Sequence, residues 1–252
     1  MSDKPLVSIV IPLYNYARYV SDCLKSVLSQ THQNIEVIVI DDCSSDNPKK
    51  VIKPFLETDS RLQFHKNDSN RGVSFTRNRG IRMCKGSYIC YIDADDMMTL
   101  KSIELRLAKL QASERIWVHG RVYDLINGKR VPDKSFHGIQ KQYRSAMPKP
   151  VTRYAKSVHS QSVLVEREFF KILGMFEEDI HYGEEQDLWR RALAFGYHPE
   201  YVSDFVAVHR NHKQQTRFGK YRPRKEEWYK ESERRLKIRL KNGITAENTI
   251  LL

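Results

Sequence analysis

The sequence lacks the long apolar runs that a membrane span requires. Its mean hydropathy is −0.60, and no uninterrupted apolar stretch in the 252 residues approaches about 18 residues. The N-terminal segment also lacks a basic region followed by a full apolar core and a small-residue cleavage site. The sequence therefore predicts neither a membrane-spanning helix nor a secretory signal peptide, and we expect a cytoplasmic protein.

Cysteine is scarce, and its spacing argues against two common uses. The four cysteines are Cys23, Cys43, Cys84 and Cys90. They form no Cys-x-x-Cys pair, and the nine histidines do not combine with them in a zinc-binding pattern. Because no secretory signal accompanies them, we expect reduced thiols rather than disulfides.

A glycine-rich phosphate-binding turn is also missing after the first apolar strand. A dinucleotide dehydrogenase would carry G-x-G-x-x-G at this point, and a sugar-nucleotide pyrophosphorylase would carry a glycine-rich basic loop. The chain has Pro12-Leu13-Tyr14-Asn15 there instead. The sequence therefore argues against both of these nucleotide-binding enzyme classes.

Positive charge is in excess, and much of it lies in the tail. The chain has 43 Lys and Arg against 31 Asp and Glu, a net charge of +12. Residues 217–241 alone hold 11 Lys and Arg against 4 Glu. This balance indicates an anionic partner: nucleic acid, an anionic membrane or a phosphate-bearing substrate. Two interpretations of the tail stay open, a solvated helix and a basic amphipathic surface in peripheral contact with the inner face of the membrane.

Apolar strands alternate with amphipathic helices through the first hundred residues. Strands are predicted at 7–11, 35–40, 62–65 and 88–92, with helices between them and after the last. This order predicts an α/β fold: a Rossmann-like, mostly parallel sheet with helices on both faces. Residues 120–157, which are basic and contain three prolines, are predicted to be irregular loop.

Acidic clusters follow two of these strands, at the sheet edge where α/β proteins bind ligands. Asp93-Ala94-Asp95, with Asp96 next to it, follows the fourth strand. Two carboxylates at this spacing suit a divalent cation, although an N-cap for a helix at residues 97–100 is the alternative. Asp41-Asp42 follows the second strand, where turn formation and recognition of a base or ribose are both open.

Five sequence blocks, taken together, resemble the GT-A glycosyltransferases of family 2. The blocks appear in the family's order and cover residues 7–46, 72–81, 86–96, 183–191 and 210–212. The resemblance implies a GT-A domain over residues 1–216, with a nucleotide-sugar half (1–98) and an acceptor half (99–216), and a basic extension over 217–252. It also implies an inverting hexosyltransferase of polysaccharide biosynthesis that moves a sugar from a UDP-sugar to a glycan or lipid-linked acceptor.

The resemblance also implies roles for individual residues. The donor-binding residues would be Pro12, Tyr14, Asp41, Asp42, Arg71, Arg77, Asp93 and Arg210. The ligands of a Mn²⁺ or Mg²⁺ ion would be Asp95, Asp93 and His212. Glu185 would be the catalytic base, where the family usually has an aspartate as the second residue of a Glu-Asp motif. Asp187 is the alternative base, or an N-cap for a helix over residues 188–194.

The chemistry of sugar transfer requires the same two groups, a cation and a carboxylate base. A departing diphosphate develops negative charge, which a bound cation stabilises. An attacking hydroxyl must lose its proton, so direct displacement needs one carboxylate base rather than the carboxylate pair of glycoside hydrolases. The rival class is a non-enzymatic basic protein that binds nucleic acid or membrane. Since no familiar nucleic-acid motif is present, we expect no nucleic-acid partner.

Overall fold

The computed structural model describes residues 4–133, 155, 158–212 and 225–242. Within these residues the chain forms nine strands and seven α-helices. The elements of the first half are β1 (Val7–Leu13), α1 (Ala17–Leu28), β2 (Ile35–Asp41), α2 (Pro48–Thr58), β3 (Leu62–Lys66), α3 (Val73–Met83) and β4 (Tyr88–Tyr91). Those of the second half are β5 (Met97–Met98), α4 (Ser102–Gln111), β6 (Trp117–Ile126), β7 (Lys129–Pro132), a 3₁₀ turn (Ser160–Ser162), β8 (Leu164–Glu166), α5 (Glu168–Leu173), α6 (Glu184–Ala194), β9 (Glu200–Arg210) and α7 (Lys225–Asn242).

All nine described strands belong to one sheet, in the order β3-β2-β1-β4-β8-β6-β9-β5, with β7 paired to β6. The first four strands are parallel, as the alternation of strands and helices predicts. The second half is mixed, because β8 is antiparallel to both β4 and β6 while β6 and β9 are parallel. The carboxyl ends of β1, β2 and β4 therefore open at one edge of the sheet, which places both acidic clusters there.

Helices cover both faces of the sheet, and the strand alternation separates two apolar cores. Ile9 and Ile11 pack with α1, α2 and α4, whereas Val10 faces α3, α5 and α6. Gly80 of α3 lies so close to β1 that a Cβ atom there would sit 2.4 Å from Val10 Cγ1. Close packing of α3 fixes the direction of Arg77, one turn earlier on the same helix.

The prediction of irregular structure from residue 120 is wrong for residues 120–133. Strands β6 and β7 form a hairpin there. Its turn is Asn127-Gly128, and both residues have positive φ (50° and 76°), as a two-residue hairpin of type I′ requires. The Asn-Gly pair was the available signal. Residues 134–154, 156 and 157, which the same prediction covers, lie outside the described residues.

The described part of the basic tail is a helix that packs on the main domain. Helix α7 contacts α6, and its Arg235 pairs with Glu177 and Asp179. Residues 217–224 of the predicted extension lie outside the described residues, as do residues 243–252. Among the described helices, none has both the length and the apolar composition to cross a bilayer.

Candidate active site

The loop after β2 is held by Asp42. Its Oδ1 accepts hydrogen bonds from Asn67 Nδ2 (2.7 Å) and from the backbone amide of Arg71 (2.9 Å), and its Oδ2 accepts one from the amide of Gly72 (2.8 Å). The side chain is only 3% exposed. Two carboxylate oxygens offer about four acceptor positions. Three of these positions are occupied by the protein among the described contacts, and one acceptor position remains.

Asp41 serves the turn that follows it. Its Oδ1 accepts the backbone amide of Ser44 at 2.9 Å, and the residue is 1% exposed. This contact matches the turn-forming alternative. Asn15 and Cys43, in the loops after β1 and β2, have positive φ angles of 56° and 62°. Non-glycine residues in this region are uncommon and often occur where a loop shapes a binding site.

Three carboxylates crowd the turn after β4. Oxygen atoms of Asp93, Asp95 and Asp96 all lie within 4.8 Å of one another. Burial and the neighbouring Asp93 carboxylate raise the pKa of Asp95, and burial together with Asp95 raises the pKa of Asp96. An N-cap role is wrong for this cluster, because strand β5 follows directly and α4 begins only at Ser102. Clustered carboxylates that repel one another fit a hard divalent cation such as Mg²⁺ or Mn²⁺.

His212 reaches this cluster from just beyond β9. Its Nε2 lies 2.9 Å from Asp95 Oδ2. Its ring packs against Tyr19, with centroids 4.7 Å apart, and meets Tyr16 edge-on at 5.5 Å. The imidazole is therefore fixed beside Asp95, where it can either donate to the carboxylate or share a cation with it.

Arg210 fastens the end of β9 to the same acidic turn. Its backbone amide donates to Asp96 Oδ1 (2.8 Å), and its Nε donates to the carbonyl oxygen of Asp95 (2.9 Å). Its Nη2 donates to the Asp22 carboxylate at 2.8 Å. These contacts hold Arg210 close to the cation site. Its expected contact with a donor phosphate stays a prediction.

A buried arginine joins the acidic turn to the motif on α6. Arg77 Nη2 donates to Asp93 Oδ1 (2.8 Å), and Nη1 donates to Glu184 Oε1 (2.9 Å). Burial would lower the pKa of this guanidinium, but the carboxylates of Asp93 and Glu184 outweigh burial and raise it. Because Asn67 Nδ2 also lies 3.2 Å from Thr76 Oγ1, the Asp42 loop connects to the residue before Arg77. Arg77 thus joins two acidic motifs directly, and the Asp42 loop is attached to the same helix at the preceding residue.

Glu185 lies half-buried at the start of α6, and its environment disfavours the charged form. Burial and the adjacent Glu184 raise its pKa to about 8, although Arg77 partly opposes the shift. The backbone of Ser160 also favours the charged form, but more weakly. A carboxylate with a pKa near 8 is a stronger base than an ordinary glutamate, as a proton acceptor for a hydroxyl requires.

Asp187 lies inside the helix. The helix begins at Glu184 rather than near residue 188, so the N-cap alternative for Asp187 is wrong. Its carboxylate pairs with Arg191 Nε at 2.9 Å and accepts a hydrogen bond from Ser232 Oγ of α7. The residue is 1% exposed. Both of its oxygens therefore serve interactions within the protein, and this favours Glu185 over Asp187 as the base.

The remaining predicted donor residues line the same edge with fewer contacts. Pro12 is buried within β1, whereas Tyr14, just past β1, is 47% exposed. Arg71 is exposed, and its guanidinium lies over the Phe75 ring at 4.0 Å. Tyr14 and Arg71 are accessible to a ligand in this arrangement.

Three residues that build the site were given no binding or catalytic role from the sequence. Glu184 holds Arg77, Asn67 holds Asp42, and Asp96 holds the amide of Arg210. Glu184 and Asp96 sit directly beside predicted residues, so their acidic character was a usable signal. Asn67 stands alone between β3 and α3, and nothing in its local pattern distinguishes it.

Solved structures share this arrangement of strands and helices. TarS of S. aureus superposes with a TM-score of 0.71 and 18% identity, covering 92% of this chain and 39% of TarS. Forms of TarS have been solved with UDP and with UDP-GlcNAc. The mannosyltransferase PcManGT of Pyrobaculum calidifontis, solved with GDP-Man and Mn²⁺, has a TM-score of 0.64 and 20% identity, covering 84% of this chain and 59% of its own. The likeness confirms the predicted GT-A type of α/β fold.

Sequence comparisons agree with the fold. An uncharacterized glycosyltransferase of Rickettsia typhi is 32% identical over 206 residues, which cover 75% of this chain and 59% of that protein. The chain thus spans little more than half the length of this relative. The family model described as "Glycosyl transferase family 2" matches residues 8–172, well over half of the chain. The motifs, the fold and this match agree, and the chain belongs to family 2 of the glycosyltransferases.

Proposed function

We propose that this protein is an inverting glycosyltransferase that moves a sugar from a nucleoside-diphosphate sugar to a hydroxyl group of a saccharide acceptor. The observation that carries the proposal is the Arg77 bridge. It holds the acidic turn after β4 and the first turn of α6 on either side of one guanidinium. A cation site and a basic carboxylate are thereby held close together, as a single displacement requires.

The donor side lies at the carboxyl ends of β1, β2 and β4. Asp42, with one acceptor position left, takes an N–H of the nucleobase, beside Pro12, Tyr14 and Asp41. Asp93 and Asp95, assisted by His212, would hold Mn²⁺ or Mg²⁺. When bound there, the cation would supply Lewis-acid stabilisation of the negative charge on the departing diphosphate. Arg71 and Arg210 add positive charge on the same side.

Arg77 is too buried to bind the donor directly, and we propose that it orients neighbouring carboxylates. Its side chain is 3% exposed, and two of its nitrogens already donate to carboxylates. We therefore assign it to orienting Asp93 and Glu184 around the diphosphate. This proposed role differs from the direct contact with phosphate that the sequence predicted for Arg77.

The acceptor side is the first turn of α6. Glu185 accepts the proton of the attacking hydroxyl as its oxygen bonds to the anomeric carbon. The diphosphate leaves from the opposite face of the sugar, so the configuration at that carbon inverts. Asp187 supports the helix rather than the proton transfer, because its oxygens are engaged by Arg191 and Ser232.

One similar structure supports a UDP-sugar as donor, and another supports Mn²⁺ as cation. TarS has been solved with UDP-GlcNAc, and PcManGT with GDP-Man and Mn²⁺. Both folds resemble this one, and the carboxylate cluster of this chain has the oxygen ligands that Mn²⁺ accepts. Polysaccharide biosynthesis, with a glycan or lipid-linked acceptor, is the pathway class that we propose.

The basic tail is proposed as a peripheral contact with anionic membrane. Its Arg235 and Arg239 are engaged by Glu177 and Asp179 of the domain. The exposed side of α7 keeps Lys237 and the partly exposed Leu240 (48%) for lipid. Cosedimentation with vesicles rich in anionic lipid, compared with neutral vesicles, tests this contact.

A panel of nucleotide sugars tests the proposed function. The protein is incubated with each donor and Mn²⁺, and release of nucleoside diphosphate is measured alongside the thermal midpoint with UDP and Mn²⁺. We expect cation-dependent release from one donor and stabilisation by its nucleotide. Stabilisation by oligonucleotides alone, abolished by salt, would instead favour the nucleic-acid-binding alternative.

A further inference from the structure

Helix α7 packs against the turn that carries the proposed base. Gly183, the residue before α6, has φ of 76°, and a Cβ atom there would lie 2.9 Å from Tyr229 Cε1. The hydroxyl of Tyr229 donates to Gln186 Oε1 at 2.7 Å. Helix α7 therefore contacts the residues that flank Glu184 and Glu185 in the sequence, at the start of α6.

Ser232 is the most buried contact between the two helices. It is 1% exposed on a helix that is otherwise largely solvated. Its Oγ donates to Asp187 Oδ1 and accepts a hydrogen bond from Arg190 Nη2 at 2.7 Å. One hydroxyl thus satisfies two buried charged groups on successive turns of α6. A side chain without a hydroxyl would leave both groups short of a partner, which is costly in a buried site.

A second group of contacts keeps α7 in place along its length. Arg235 pairs with Glu177 (2.8 Å) and Asp179 (2.5 Å), in the segment that leads into α6. Trp228 packs edge-on against His181 with centroids 5.3 Å apart. The contacts reach both the helix and the segment before it, so a change in α7 is transmitted to the turn at residues 183–187.

The first turn of α6 is therefore fixed at two residues. Arg77 of α3 holds Glu184, and Ser232 of α7 holds Asp187, three residues further along the helix. Glu185 lies between these two anchored residues. We infer that α7, through Ser232, is a positioning element of the active site that sets where the Glu185 carboxylate stands relative to the acceptor hydroxyl. The inference rests on the proposed function, because it takes Glu185 as the base.

The test compares Ser232→Ala with a matched neighbour, Glu233→Ala. Glu233 is adjacent on α7, is exposed and forms an ion pair with exposed Lys237. Its charge also acts on Arg190, but through electrostatics rather than through a hydrogen bond among the described contacts. Steady-state kcat and KM for the donor are measured, together with hydrogen exchange of the amides at 183–187 and 73–83. Ser232→Thr, which keeps the hydroxyl, is the conservative variant. Tyr229→Phe, which loses only a hydroxyl, replaces Ser232→Ala if that variant does not fold.

We expect kcat of Ser232→Ala to fall roughly tenfold to a hundredfold, with KM for the donor changed less than about twofold. Amides at 183–187 should exchange faster, while those at 73–83 and the stabilisation by nucleotide and cation stay unchanged. Ser232→Thr should recover most of kcat, and Glu233→Ala should match the wild type.

Two results would overturn the inference: a folded Ser232→Ala protein with wild-type kcat, or unchanged exchange at 183–187. The exchange measurement needs no turnover. If the wild type itself transferred no sugar, the proposed function would fail while the exchange result still decided whether α7 orders this turn.

Discussion

The two acidic clusters look alike in sequence and differ in what surrounds them. Each is a group of aspartates at the carboxyl end of a buried parallel strand. The carboxylate of Asp42 meets three N–H donors brought by residues 67–72. Asp95 meets His212 and two further carboxylates, and burial together with the Asp93 carboxylate raises its pKa. The first cluster is completed largely by the protein, whereas we propose that a cation completes the second.

This difference shows that a sequence motif specifies the position of an acidic group but not its chemical role. The residue pattern fixes where an acidic group stands at the sheet edge, since the strand ends there. The donors or carboxylates around it come from distant parts of the chain and decide its chemistry. Variants at the two clusters should therefore fail in different ways, one through stability and the other through turnover.

The largest expected effect is that of Asp95→Ala. We predict a loss of cation-dependent transfer of about a thousandfold or more, because stabilisation of the leaving diphosphate is lost. The thermal midpoint measured without added metal should not fall by more than a few degrees, since a repulsive group is removed along with its His212 contact. Asp204→Ala, on an exposed residue of β9, is the control. Undiminished turnover in Asp95→Ala would contradict the assignment of the cation site.

The second largest effect is expected for Glu185→Gln. Its kcat should fall about a hundredfold to ten-thousandfold, because the side chain can no longer accept the proton. Binding of the nucleotide and cation should survive, which a thermal shift with UDP and Mn²⁺ measures. The contrasting variant is Asp187→Asn, which disturbs the buried pair with Arg191 and should mainly lower stability. Normal turnover of Glu185→Gln beside a stable but inactive Asp187→Asn would move the base to Asp187.

Asp42→Ala should behave as a stability variant. It leaves Asn67 Nδ2 and the amides of Arg71 and Gly72 without their acceptor, so we expect the free energy of unfolding to fall by about 2–4 kcal/mol. Urea unfolding measures this change. Asn67→Ala, which removes one of the three donors, should be milder. An unchanged free energy of unfolding for Asp42→Ala would contradict the claim that the Asp42 carboxylate stabilises the fold.

The smallest expected effect is that of Glu184→Gln on the pH dependence of kcat. The active form of Glu185 is deprotonated, so turnover should rise with pH through its pKa, which is near 8 in the protein without cation. A cation near Asp93 would lower the inflection. Glu184→Gln removes the adjacent negative charge and should shift the inflection to lower pH by about one unit or less. A pH–kcat profile of both proteins measures the shift, and an inflection that moved upward would contradict the stated cause.

Much of the donor half could be predicted from sequence because its signals are local. The strands ending at Ile11, Ile40 and Ile92 were each apolar and bounded by turn residues. Their structural counterparts differ by one or two residues at the ends. The acidic clusters follow from these strands, since side chains at a strand end project at the sheet edge.

The rest depends on contacts between distant segments, which local patterns do not encode. Arg77 was expected at a phosphate because it is basic and lies in a motif. The structure places it between Asp93 and Glu184, which are 16 and 107 residues away. Ser232 has no motif at all, and only the docking of α7 brings it to Asp187. The hairpin at Asn127-Gly128 was a local signal that the basic, proline-containing context obscured.

The central claim is that one site contains a cation position at Asp95 and a separate base at Glu185. Mn²⁺ binding, followed by electron paramagnetic resonance in the presence and absence of UDP, tests this division most directly. The account predicts that UDP tightens Mn²⁺ binding to the wild type and to Glu185→Gln alike, and that Asp95→Ala loses both the binding and the tightening. Equal Mn²⁺ binding by Asp95→Ala and the wild type would contradict it.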